Sequence, residues 1–356
     1  MRVIDAHLHC TGRETTDDVL RTLDEAQVDV GVLLAPFLSE GYSLDEPASL
    51  CRANDHLAAL VRGHGDRLVG FAVVNPGRPG ADAELERAVD AGLRGVKMVP
   101  SGWFPHDAAV QSTFAVAARR ALPMLFHSGI FIDGRSGRWC RPVEFEVLRD
   151  HPGVRVALAH LGWPWTDEAI AVGLIDRIHG VPEAQAVFRF DLSFGPPPPY
   201  RLEVLRRALE VLGPGLLQFG SDCFLPCPGA QLAERRRWLA ELLDELALDA
   251  ASQARIWSGT AAAWLGLADD DAEPRGAGLA GAEASPRAAD PGALDAPPAG
   301  APRHPIEPGH TGTDATTPPR RRLPGASPVG PWRPGAGASG HAARWLGGRR
   351  IGPLCC

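Results

Sequence analysis

The chain predicts an α/β fold of the (β/α)8 TIM-barrel kind, and three observations carry that prediction. Apolar runs and amphipathic stretches alternate from the first residues to about Leu267. Several of the apolar runs lack polar interruptions, as strands covered on both faces should. Four segments end such a run on a side chain able to ligate a metal, and the C-terminal ends of barrel strands surround one axis. In a doubly wound open sheet, the competing arrangement, the first and last strands could lie far apart.

The strands are expected at Val3–Leu8, Val28–Ala35, Leu68–Asn75, Gly95–Val99, Pro123–Ser128, Val154–Leu161, Ala186–Ser193 and Leu216–Asp222, all rich in Val, Leu, Ile and Phe. Helical periodicity falls between them, at Thr16–Ala26, Ala48–Val61, Asp82–Ala91, Asp107–Ala121, Thr166–Ile178 and Arg201–Leu212. Stop signals such as Ala91-Gly92 and Leu212-Gly213-Pro214 precede the next strand. The last helices are expected over Gly229–Ala247 and Ala250–Leu267. Residues 1–267 thus form one barrel domain. From about Ala268 to Cys356 the chain becomes a low-complexity tail of Pro, Gly, Ala and Arg, including Arg320-Arg321-Arg322. It offers too little apolar surface to offset the entropy of ordering it, so a disordered tail is expected.

At 356 residues and 45% hydrophobic content the chain can bury a sizeable core. Its formal charge of -7 argues against a nucleic-acid partner. Met1-Arg2 leads straight into a strand without a secretory h-region, and no apolar run approaches the roughly 20 residues of a membrane span. Among the seven cysteines, Cys223 and Cys227 are four apart, with no second pair to complete a zinc knuckle. Reduced thiols in a cytoplasmic protein are the expectation.

The chemistry starts at Val3-Ile4-Asp5-Ala6-His7-Leu8-His9. On a regular strand Asp5, His7 and His9 point one way and Ile4, Ala6 and Leu8 the other. Two imidazoles aimed from one rigid strand suit a divalent metal. Phe126-His127-Ser128, Ala159-His160-Leu161 and Gly220-Ser221-Asp222 end the fifth, sixth and eighth strands. Each histidine alone is more often a hydrogen-bonded structural residue; the joint pattern reverses that judgement.

This order resembles the amidohydrolase superfamily, and the surrounding words narrow the likeness to the amidohydrolase-related branch that includes aminocarboxymuconate-semialdehyde decarboxylase. Those words are Ile4-Asp5-Ala6-His7-Leu8-His9, Asp66-Arg67-Leu68-Val69-Gly70-Phe71, Gly92-Leu93-Arg94-Gly95-Val96-Lys97, Pro123-Met124-Leu125-Phe126-His127-Ser128-Gly129 and Leu158-Ala159-His160-Leu161-Gly162. The chain departs from the branch at Ser258-Gly259-Thr260-Ala261, where a Gly-Asn-Ala turn is common, and it places Cys223 beside Asp222.

The resemblance implies that His7, His9, His127 and Asp222 hold one divalent ion, zinc being the expected one, with water completing the shell. It implies Asp222 as acid and base, and His160 as the group that polarises substrate or shuttles the proton. Hydrolysis of an amide, ester or lactone is the first expectation, and non-oxidative decarboxylation of an aromatic or muconate-type acid the second. A small-molecule substrate follows from either, and a homodimer is implied by resemblance only.

Lys97 has three readings: a carboxylated lysine bridging two ions, an ammonium that binds a substrate carboxylate, or a rim residue reaching solvent. Asp5 is expected to orient a histidine ligand or to pair with a basic neighbour. Trp103, Phe104 and His106 follow the fourth strand, and Trp163, Pro164 and Trp165 follow His160. Trp163 is a candidate substrate contact on that rim, with packing as the equal alternative. Arg135 and Arg138 either recognise a carboxylate or lie on a solvated loop. His56, His64, His151 and His179 fall in helices or at the opposite end of the barrel. Pro196-Pro197-Pro198-Pro199 is expected as a stiff extended piece at the mouth.

Overall fold

Strand-helix alternation is what the chain folds into. A computed structural model describes residues 1–193 and 195–267; the tail predicted from 268 onward lies outside the described residues. The strands are β1 (Ile4–Cys10), β2 (Val30–Leu34), β3 (Leu68–Val73), β4 (Gly95–Met98), β5 (Pro123–Phe126), β6 (Arg155–Leu158), β7 (Phe188–Asp191), β8 (Leu217–Gln218) and β9 (Cys223–Leu225). They form one curled, parallel, nine-stranded sheet in the order β8-β7-β6-β5-β4-β3-β2-β1-β9, an α/β TIM-barrel-like arrangement.

The expected eighth strand, Leu216–Asp222, is split. β8 pairs with β7, whereas β9 pairs with β1 in the register Leu8↔Cys223 and Cys10↔Leu225. Between them Ala6 N donates to Phe219 O at 3.0 Å and Asp222 N to His7 O at 2.9 Å. The break falls where Asp222 takes a positive φ of 57°, a left-handed conformation costly for a side chain of this kind.

The helices are α1 (Thr16–Glu25), α2 (Pro47–Val61), α3 (Ala81–Asp90), α4 (Gln111–Arg119), α5 (Thr166–Ile178), α6 (Pro198–Leu212), α7 (Gly229–Glu245), α8 (Ala250–Ala254) and α9 (Thr260–Leu265). A capping box starts α1, with the Thr15 hydroxyl accepting from Asp18 N while the Asp18 carboxylate accepts from Thr15 N. Proline explains two helices that begin earlier than their periodicity suggests. Pro47 opens α2, and Pro198-Pro199 open α6, because a fixed φ suits the first turn and no N–H is lost there. Half of the tetraproline is thus helix and not extended mouth. Between β5 and β6 the chain makes 3-10 turns at Gly137–Cys140 and Pro142–Asp150 in place of an α-helix. The expected last helix is interrupted by a π turn at Arg255–Gly259 between α8 and α9.

Two apolar clusters divide the interior. The larger lies between sheet and helices and contains Leu8, Leu23, Leu33, Leu57, Leu85 and Phe114. The smaller joins Ile4, Ala6, Val30, Val32, Val69, Phe71, Leu125 and Ala157 to Trp264 and Leu265 of α9. It takes alternate residues from successive strands, so it is the inside of the curled sheet, and α9 plugs one end. Trp264 is fully buried and its indole N–H donates to Arg155 O at 3.1 Å.

Candidate metal centre

Strict alternation along β1 fails in an informative way. The pairing of β1 with β2 slips between Asp5 and Leu8, where the register passes from Asp5↔Gly31 to Leu8↔Leu33. Such a bulge inserts one residue and re-aims the side chains beyond it. Ile4 and Ala6 therefore pack in the inner cluster, Leu8 packs outward beside Leu23, and both His7 and His9 turn to the open end of the sheet. Asp5 does not share their face. Its Oδ1 accepts from His7 N at 3.0 Å and Ser221 N at 2.9 Å, tying the bulge to the split eighth strand. Asp5 thus acts on a histidine ligand through the His7 backbone N–H, and not by a bond to its ring. Burial pushes its carboxyl up to about 7 despite those bonds.

The two imidazoles meet Asp222. His7 Nε2 lies 3.1 Å from His9 Nε2 and 3.4 Å from Asp222 Oδ1, and His9 Nε2 is 3.1 Å from the same oxygen. One donor atom from each of the three gathers within 4.8 Å of the others, and all three residues are buried. Burial lowers the His9 imidazole to about 4 although Asp222 pulls it the other way. Burial also works against the Asp222 charge, but the nearby His7 and a hydrogen bond from His9 bring its carboxyl down to about 2. At neutral pH the cluster is therefore an ionised carboxylate facing a neutral His9 imidazole, the protonation states a divalent ion requires.

His7 is held from behind by a residue the sequence reading passed over. Asp191, at the end of β7, places Oδ2 2.8 Å from His7 Nδ1. A proton on Nδ1 donated to that carboxylate leaves the Nε2 lone pair facing the cluster. Asp191 Oδ1 also accepts from His160 N at 3.0 Å and Ser193 N at 2.9 Å. Burial opposes its charge, yet the field and hydrogen bond of His7 hold its carboxyl well below the usual range. The available signal was an acid closing the expected seventh strand, in Phe188-Arg189-Phe190-Asp191.

His127 and His160 stand beside this trio. The His160 ring centroid is 5.4 Å from that of His7 and 5.1 Å from that of His127. His127 Nε2 is buried and has no hydrogen-bond partner. Its ring stacks on Phe131 at 4.2 Å, and Arg135 lies over the other partner's ring with Cζ 4.3 Å from the Phe131 centroid. His127 is outside the group of three donor atoms that gather within 4.8 Å. His160 leaves the strand expected for it and sits in a 3-10 turn with a positive φ of 60°. Its Nδ1 is 2.9 Å from the Ser193 hydroxyl. Lys97 is almost completely buried, with Nζ 3.3 Å from His7 Nε2, which removes the reading of it as a solvent-reaching rim residue.

The aromatic candidates divide. Trp103 is buried, packs on Phe114 and donates from Nε1 to Asn75 Oδ1 at 3.0 Å, a packing role. Trp163 is half-buried with its ring 5.1 Å from Tyr200, and its carbonyl accepts from Ile130 N. It lies on the turn after His160. Arg138 stacks on Trp139. His56 pairs with Glu14 at 2.9 Å and His151 with Gln111 at 2.9 Å, structural roles for both.

A parallel α/β sheet carrying buried histidines and an aspartate at one end defines a metal-dependent TIM-barrel-like enzyme. The chain belongs to the amidohydrolase family, whose model matches residues 4–267. A search of curated proteins found no match. Solved structures show the same fold at low identity. A 5-carboxyvanillate decarboxylase from Sphingomonas paucimobilis is 19% identical, covering 75% of this chain and 99% of that one at a TM-score of 0.52. A dihydroxybenzoic acid decarboxylase from Polaromonas sp. JS666, with bound manganese, is 17% identical over 74% of this chain and 97% of that one, also at 0.52. A probable 2-pyrone-4,6-dicarboxylic acid hydrolase from Acinetobacter baumannii is 16% identical over 75% of this chain and 100% of that one, at 0.50. No helix among the described residues is long and apolar enough to cross a membrane.

Proposed function

We propose that the chain is a metal-dependent hydrolase acting on an amide, ester or lactone of a small molecule. The donor set fits a divalent ion. Donor atoms of His7, His9 and Asp222 converge, and the buried His127 Nε2 beside them has no hydrogen-bond partner. In this reading His7, His9, His127 and Asp222 would hold the ion, zinc and manganese both suiting nitrogen and oxygen ligands. When bound, the ion supplies Lewis acidity and lowers the pKa of a coordinated water to roughly 7.

The rest falls to this chain's own groups. Asp222 Oδ1, an ionised carboxylate oxygen 3.1 Å from His9 Nε2, takes the proton of the attacking water and returns it to the leaving group. That position is the observation that carries the reading. His160, whose basicity burial depresses, stands beside the trio to polarise the substrate or shuttle the proton. Ser193 and Asp191 set the angle of its ring and backbone. Trp163 bounds the substrate from the rim. Lys97 would orient an anionic substrate group or, if carboxylated, would help hold a second ion.

The second reading is non-oxidative decarboxylation of an aromatic or muconate-type acid. Lys97 favours it, since its buried amino group, 3.3 Å from His7 Nε2, is placed to hold a substrate carboxylate. Three of the neighbouring structures' names cover both chemistries. The test is a panel of lactones, amides, esters and aromatic acids on metal-loaded full chain. Hydrolysis without carbon dioxide release supports the first reading; carbon dioxide as the only product establishes the second. Asp222→Asn should lower turnover by about 10²–10⁴-fold with an unchanged melting curve, and near-normal turnover in that variant would overturn the role given to Asp222.

A further inference from the structure

The backbone that carries His160 is strained. His160 sits in the left-handed region at a φ of 60°, and Leu161 follows at 46°. Such backbone is costly for residues with a side chain and persists where the surroundings impose it. Here His160 N donates to Asp191 Oδ1 at 3.0 Å. The chain beyond Ser193 also runs so close that Gly195 has no room for a Cβ beside the His160 carbonyl. The imidazole is thereby brought onto Ser193, a buried residue just past the end of β7.

The hydrogens of this cluster can be placed one by one. The Asp191 carboxylate is ionised and can only accept. Its Oδ2 takes the His7 Nδ1 hydrogen at 2.8 Å, and its Oδ1 takes the Ser193 N–H at 2.9 Å and the Ser193 hydroxyl hydrogen. Ser193 Oγ then has no hydrogen left to give, so toward its other neighbours it is an acceptor. One of these is His7 Nδ1 at 3.4 Å, already committed to Asp191. The other is His160 Nδ1, 2.9 Å from Oγ and 3.4 Å from Ser193 O, which also only accepts. Two acceptors on one ring nitrogen require an N–H there. A neutral imidazole holds a single ring hydrogen, so His160 Nε2 keeps its lone pair.

We propose that Ser193 is a positioning residue that fixes His160 as the Nδ1–H tautomer, so that Nε2 meets the reacting molecules as a hydrogen-bond acceptor. Of the two tasks given to His160 above, polarising a carbonyl oxygen needs a hydrogen on Nε2, whereas taking a proton needs that nitrogen bare. Ser193 selects the second. That task belongs to the hydrolase reading proposed above and rests on it; the tautomer stands on the hydrogen bonds alone. Asp191 becomes a common support for two rings, gripping His7 directly and His160 through the Ser193 hydroxyl.

The test uses zinc-loaded full chain labelled with 15N-histidine at pH 8, where a ring whose basicity burial depresses is neutral. Long-range 1H–15N correlations from the ring C–H groups report which nitrogen is protonated, and His160→Gln assigns the signal. The wild-type chain should carry its hydrogen on His160 Nδ1. Ser193→Ala should draw the two ring-nitrogen shifts toward each other, the mark of a tautomer mixture, and Ser193→Thr should restore them. On the substrate found by the product panel, kcat should fall about tenfold or more in Ser193→Ala and recover in Ser193→Thr. A hydrogen on Nε2 in the wild type would overturn the proposal, and so would unmoved nitrogen shifts in Ser193→Ala. If Ser193→Ala does not fold, the wild-type spectrum decides alone. An Nδ1–H ring in a chain that releases only carbon dioxide would leave the tautomer standing and remove the hydrolase reading.

Discussion

Asp191 shows how a single side chain sets the competence of the centre. Its bond to His7 Nδ1 and its two backbone bonds leave His7 a single tautomer. Asp191→Asn keeps the shape but offers one acceptor oxygen in place of two. Metal affinity should fall by about 10–100-fold, measured by competition with a chromophoric chelator. Glu14 is a second buried acid with a purely structural task. It accepts from Thr11 N, Arg13 N and His56 Nε2, closing the loop after β1. Burial opposes its charge, but His56 and the Thr11 amide hold its carboxyl at about 2 against an ordinary 4.5. Because the folded value lies below the unfolded one, the stabilisation is present above pH 4.5 and is lost as pH falls through about 2. Glu14→Gln should therefore cost about 1–3 kcal/mol in urea melts at pH 7, and the gap to wild type should shrink between pH 4.5 and 2. The residue types at the centre were readable because His7, His9, His127, His160 and Asp222 stand out against apolar runs. Asp191 stayed hidden, since an acid after Phe190 carries no spacing motif and its role depends on a contact across 184 positions of sequence.

At the scale of the element, the bulge in β1 and the break in the eighth strand form one device. Both are recorded only in tertiary hydrogen bonds, Asp5 to Ser221 N and Asp222 N to His7 O. Neither leaves a signature in hydropathy, which is why regular strands were the natural expectation there. Gly220 shows the cost of the close approach, since a Cβ at that position would come within 2.9 Å of His7 Cβ. Helix starts were legible where threonine or aspartate caps them and obscured where proline opens them. The α9 plug was legible as a helix but not as the floor of the sheet's interior. Trp264 fills that floor against Phe71, ring centroids 5.2 Å apart. Trp264→Ala should cost about 3–5 kcal/mol by denaturant titration, the usual penalty for emptying a buried aromatic site. A loss below 1 kcal/mol would mean α9 is dispensable.

For the whole molecule, apolar strands and amphipathic helices settle a TIM-barrel-like α/β body, and the hydrophobic clusters on the two faces of the sheet hold its open end in shape. What the body is for rests on the convergence of β1 and the split eighth strand on one point. Equilibrium dialysis of metal-free full chain against zinc or manganese, with bound metal counted by elemental analysis, tests that convergence directly. The wild-type chain should take up a divalent ion with a saturable constant, and a His7→Ala, His9→Ala double variant that keeps its circular dichroism should take up none. An intact wild-type chain that binds no divalent ion, or a double variant that binds it as tightly, would contradict the account.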